Sequence, residues 1–184
     1  MRSLLLLTGL LLLQPVMASP DVIVNGEPAP LIQWDDLMPE GYGAELMALF
    51  DNPELDELDD YSERGMELMQ QMMQRLSSAP VVNDMDGRMV SIPGFVVPLE
   101  GVGGTVRHFF LVPYYGACIH VPPPPSNQMI DVHFAPGTRD ENLYDAILVS
   151  GRLTTEVYNH EMGTAGYRLE AYSIQPYEDA LFTE

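Results

Sequence analysis

The sequence predicts a mainly β protein: a small five-stranded OB-like barrel behind an N-terminal helical arm. Two observations carry that expectation. Between about residues 45 and 77 the apolar residues recur at helical, three- and four-residue intervals, whereas from residue 80 onward they fall into short β-rich runs separated by Gly, Pro, Asn and Asp. The first of those runs is interrupted by Pro93-Gly94, which predicts a bulge or bend in the strand that opens the barrel. The chain therefore divides into residues 1–18, an arm over 19–79 and a β-barrel-like domain over 80–184.

Met1-Arg2 followed by the apolar run Leu4 to Leu13 and the small residues around Val16-Met17-Ala18 reads as a secretory signal peptide cut after Ala18. Gln14-Pro15 ends the apolar run well short of the roughly 20 residues a membrane span needs, so no permanent anchor is expected. No cysteine follows the run, which argues against a lipid anchor. The expected location is the periplasm. A formal charge of −19, with no lysine and all cationic charge on arginine, disfavours nucleic acid and anionic lipid as partners. A single cysteine cannot close an internal disulfide, so the fold must stand on its core.

Along the arm, Trp34 beside Asp35-Asp36 reads as an apolar plug set onto the core from an extended segment. Glu45 to Phe50 forms a short helical candidate. Asn52 caps and Pro53 opens a second helix running to Ser77, in which Leu55, Leu58, Met66, Met69, Met72, Met73 and Leu76 share one face. Methionine at this spacing is expected to pack into a core, with soft copper(I) ligation the alternative.

Five strands follow: Met89 to Leu99, Val106 to Val112, Gln128 to Phe134, Ala146 to Leu153 and Tyr167 to Ile174, with turns at Met85 to Arg88 and Gly101 to Gly104. If the second and third strands pair with Pro113 opposite Gln128, His108 falls opposite His133, about 17 Å from the end of the hairpin. The two histidines then make a cross-strand pair of their own. His160 falls between the fourth and fifth strands with no predicted neighbour.

The long link between the second and third strands carries the most chemistry. Cys118 and His120 stand two residues apart, so in an extended segment they face one side and offer sulfur and nitrogen to one ion, zinc or a similar divalent cation. Pro122 to Pro125 then form a stiff polyproline rod. Two ligands leave a tetrahedral site half filled. Asn127, Gln128 or Asp131, water, or a partner protein would complete it, with His108 and His133 weaker candidates on the hairpin register. Cys118 as a small buried residue is the bland alternative. An interaction domain built on the proline-rich loop and Tyr114-Tyr115 is another. A thiol-dependent enzyme with Cys118 as nucleophile and His120 as base lacks any marked oxyanion donor or orienting third residue.

The run Val112 to Gln128, with its Gly116-Ala117-Cys118-Ile119-His120-Val121-Pro122-Pro123-Pro124-Pro125-Ser126-Asn127-Gln128 signature and Gly94 to Leu99 upstream, resembles an uncharacterised family of exported bacterial proteins, a domain of unknown function. The resemblance covers roughly residues 80 to 175. It implies an accessory protein serving an ABC-type zinc uptake system, so a membrane transporter or another exported protein is the implied partner. It assigns no residue a role.

Overall fold

The computed structural model describes residues 22–51, 62–117, 123–139 and 145–177. The expected leader over 1–18, the expected helix start at Pro53, and both Cys118 and His120 lie outside the described residues.

The arm opens with a small hairpin, β1 (Val22–Val24) and β2 (Glu27–Ala29), turned by Asn25 and Gly26, both with positive φ. A 3-10 turn over Trp34–Leu37 follows, then helix α1 (Tyr42–Phe50) and helix α2 (Glu63–Ser77). Helix α2 does not run through from Pro53: Ser62 is extended, and its hydroxyl accepts from the Gly65 amide at 3.0 Å, so a serine cap starts a new helix there. Of its predicted apolar face, Met72 and Leu76 are buried while Met66 and Met69 are exposed. The expected core packing therefore holds only for the last turns of the helix.

The barrel is closed, with strands in the order β3 (Met89–Val102), β4 (Thr105–Val112), β5 (Ile130–Arg139), β9 (Tyr167–Pro176) and β6 (Ile147–Thr154), the last pairing back onto β3. The β5–β9 pair is parallel and every other pair is antiparallel. That order and polarity are those of a five-stranded OB-like barrel. Strand β3 serves both edges of the closure: Met89 to Gly94 pairs with β6 and Phe95 onward pairs with β4. The changeover falls at Pro93-Gly94. A Cβ on Gly94 would lie 2.7 Å from the Val112 carbonyl oxygen, so a residue without a side chain is required where the strand turns the corner. Gly103 and Gly104, both with positive φ, make the tight β3–β4 turn.

Alternation along β4 and β5 decides what faces where. Phe109, Leu111, Ile130 and Val132 point into the barrel with Val90, Ile92, Val149, Leu153 and Leu169, all fully buried. Tyr167 closes this core: its hydroxyl donates to the Leu37 carbonyl at 2.9 Å and accepts from the Val82 amide at 2.6 Å, pinning the arm to the barrel. Trp34 packs into the same core and donates its indole N–H to the Pro93 carbonyl at 2.7 Å, as a plug from the arm should. A second apolar cluster forms on the outer wall from Phe95, Val97, Phe110, Val112 and Met129, packed with Ala165 of a short hairpin made by β7 (Tyr158–His160) and β8 (Gly163–Ala165). This hairpin lies in the β6–β9 connection, one of the loops that OB-like barrels place beside their ligand face.

Candidate functional site

The expected register holds: His108 is the partner of His133, Phe109 of Val132 and Phe110 of Asp131. Residues two apart on a strand share a face, so His108, Asp131 and His133 all project from the outer wall of the barrel, next to the hydrophobic cluster under the β7–β8 hairpin. Their potential ligand atoms lie within 4.8 Å of one another. A buried cluster of two imidazoles and a carboxylate is a group that could hold a metal ion.

Asp131 is the centre of the cluster and is fully buried. Its Oδ1 accepts from His108 Nε2 at 2.7 Å, and its Oδ2 accepts from His133 Nε2 at 3.2 Å and from Arg168 Nε at 2.9 Å. A buried carboxylate left unpaired would be strongly destabilising, so the two rings and the guanidinium are what permit it. Arg168 reaches Asp131 because β9 runs parallel to β5 with Arg168 as its register partner. The hydrogen bond to Asp131, reinforced by the charges of Asp131 and Glu156, raises the guanidinium's pKa above its usual value against the opposing effect of burial. Glu156 takes the other side of the Arg168 head.

The two imidazoles stack, with centroids 4.3 Å apart and planes at 21°. Tyr158 of the β7–β8 hairpin sets its edge against His108 at 5.3 Å and stacks on His160 at 6.4 Å, while His160 also stands 6.0 Å from the Phe110 ring. Three of the four histidines of the chain thus collect at one end of the outer wall. His160, unplaced by the sequence, joins them because the connection folds back as a hairpin.

Cys118 and His120 lie outside the described residues, whereas Asn127, Gln128 and Asp131, nominated beside them, are described. Asn127 and Gln128 are buried on a 3-10 turn over Ser126–Gln128, where Asn127 Nδ2 donates to the Pro80 carbonyl at 2.8 Å and Gln128 Nε2 to the Trp34 carbonyl at 2.9 Å. Both satisfy backbone carbonyls, and Gln128 thereby ties the arm to the barrel. Among the described residues, the buried Asn127 Oδ1 atom has no hydrogen-bond partner. Asp131, also nominated for that site, stands with His108 and His133. Sequence reasoning missed Arg168 and Glu156, because only the parallel β5–β9 pairing brings β9 beside Asp131.

A family model described as a protein of unknown function, DUF3299, matches residues 34–176. The crystal structure of a DUF3299 family protein from Pseudomonas aeruginosa PAO1 is 36% identical in sequence, matches over 83% of this chain and 99% of its own, and has a TM-score of 0.63. An aspartyl tRNA synthetase from Entamoeba histolytica aligns at 16% identity over 91% of this chain and 29% of its own, with a TM-score of 0.31, a likeness too slight to carry an argument. No curated protein matches the chain. The match to the family model over most of the sequence and the solved relative agree on one conclusion: the chain belongs to the DUF3299 family.

Proposed function

We propose that this is an exported, periplasmic metal-binding accessory protein whose ion site is the His108–Asp131–His133 cluster, with zinc the favoured ion. One observation carries the proposal: two imidazoles and a carboxylate, brought from two strands, converge within 4.8 Å on the ligand face of an OB-like barrel. That donor set suits zinc, and the partly exposed His133 leaves the site accessible for exchange. The leader over 1–18 supports export, and the resemblance to accessory proteins of zinc uptake supports service to a membrane transporter. Cys118 and His120, two residues apart on the connection between β4 and β5, are the donors that would receive or pass on the ion.

Calorimetric titration with zinc at neutral pH, thiol kept reduced, tests the proposal on the parent and the His108→Ala, His133→Ala and Cys118→Ser proteins. The parent should bind one zinc, each histidine variant should bind at least about tenfold more weakly, and Cys118→Ser should keep the site. A parent that binds no zinc overturns the metal role. The interaction-domain alternative would then rest on the cleft that Pro123, Pro124 and Pro125 share with Leu46, Phe50 and Tyr114.

A further inference from the structure

The cluster has two sides, and they suit an ion unequally. On the inner side, His108 Nε2 and Asp131 Oδ1 are 2.7 Å apart. That is a hydrogen-bond length, shorter than the about 3.3 Å between two ligands of one tetrahedral zinc with bonds of about 2.0–2.1 Å. The other oxygen, Oδ2, already accepts from Arg168 at 2.9 Å, so an ion there would sit against a guanidinium. Asp131 thus has the position of the carboxylate that orients metal-binding histidines from behind, holding each ring by one N–H and leaving the other nitrogen as a lone pair.

On the outer side, the His108 Nδ1 atom faces the Glu100 carboxylate at 3.7 Å. With Nε2–H donated to Asp131, neutral His108 turns a lone pair toward an anionic oxygen, an arrangement that a bound cation relieves. The separation is within a few tenths of an ångström of the spacing of two zinc ligands. Glu100 is the β3 partner of His108 and sits at a bulge, with register shifts on both sides of it, while β4 carries a further shift between Val106 and His108. Bulges of this kind re-aim side chains beside functional sites. Glu100 is 80% exposed and His133 is 40% exposed, so this side opens to solvent. Among the described residues, His133 Nδ1 has no hydrogen-bond partner.

We propose that Glu100 is a metal ligand and that the ion sits on the solvent side of the cluster, between Glu100 and the Nδ1 atom of His108, with Asp131 as a positioning residue locked by Arg168 and His133 stacked behind the liganding ring. This rests on the metal role proposed above and places the ion within that site. Glu170 is the natural control. It is the β9 partner of His133, at the far end of the same cross-strand row, exposed and equally charged.

Two measurements test the placement. In zinc titrations, Glu100→Gln should weaken binding more than about 100-fold, Asp131→Asn by roughly 10–100-fold, and Glu170→Gln by less than about threefold. In proton and nitrogen magnetic resonance of the zinc-loaded parent, the Nε2–H protons of His108 and His133 should persist while the His108 Nδ1 resonance moves. Disappearance of those Nε2–H protons on loading, or a Glu100→Gln protein that binds zinc as the parent does, would overturn this placement and leave the His108–Asp131–His133 metal role standing. Equal losses in Glu100→Gln and Glu170→Gln would reduce Glu100 to general attraction and overturn its role as ligand. A parent that binds no zinc would overturn both.

Discussion

The two sides of the same β-hairpin solve opposite problems. Facing inward, Phe109, Leu111, Ile130 and Val132 are fully buried among other apolar side chains, with no hydrogen bonds to arrange. Facing outward one residue along, His108 and Asp131 are nearly as deeply buried, yet each must be satisfied by named partners. Burial alone therefore does not distinguish structure from function in this barrel. The difference lies in what the burial requires: the inner wall is held by packing, whereas on the outer wall, beside its apolar cluster, one buried carboxylate must be neutralised by three donors. Such a network is retained at some risk to stability, because any one missing partner leaves a charge stranded.

The contrast is broken or sharpened first by substitutions on each side. Phe109→Ala removes a whole ring from a close-packed interior and should destabilise by about 3–5 kcal/mol. Arg168→Met removes one donor to Asp131 and should destabilise by about 2–3 kcal/mol, less because the guanidinium is 30% exposed and the two imidazoles remain. Chemical denaturation reads both. If Arg168→Met proved the worse of the two, the outer network, not the inner core, would dominate the fold.

Legibility follows the same division. The strands were readable because alternating apolar residues mark a half-buried sheet, and the His108–His133 register followed from pairing Pro113 with Gln128. The glycine bend was readable because Pro93-Gly94 cannot continue an ordinary strand. What stayed hidden required contacts between elements distant in sequence. Asp131 is a candidate ligand on the sequence only because it follows the proline run closely in the chain, while its companions among the described residues, His108 on β4 and Arg168 on the parallel strand β9, come from elements distant in sequence. Glu100 gave no signal either, since nothing local distinguishes an acid at a bulge from one at an ordinary strand end. The capped start of α2 at Ser62 was masked by a run of apolar spacing that reads through it.

Tyr167, like Trp34, brings a polar group to the dry side, and it offers the next smaller test. Burial raises its pKa above the usual phenol value, partly opposed by the hydrogen bond from the Val82 amide. A proton held more tightly in the folded state than in the unfolded one stabilises fully below the unfolded pKa of about 10. As pH rises past that value the unfolded chain ionises first, and the contribution is lost as pH climbs through the folded pKa. Stability followed by denaturant titration should therefore fall above about pH 10. Tyr167→Phe should remove that component of the slope and cost about 1–2 kcal/mol at neutral pH through the lost bonds to Leu37 and Val82. An unchanged alkaline slope in Tyr167→Phe would assign the loss to other groups.

The smallest effect is expected where neither kind of burial operates. Met69 lies on the predicted apolar face of α2 but is exposed, whereas Met129 is fully buried in the outer apolar cluster. The two share a residue type and differ in surroundings, so they separate composition from packing. Met69→Leu conserves volume at a position that already meets solvent, and it should change stability by less than about 0.5 kcal/mol. Thermal unfolding of the parent and variant, with and without copper(I), measures this directly. A loss above about 1 kcal/mol would show that α2 uses this face against a surface in the folded protein, as the helical spacing alone suggests. Loss of a copper(I) ion that the parent binds would instead give the methionine spacing of α2 a ligand role, and would place a second, softer metal site on the arm, away from the histidines of the barrel.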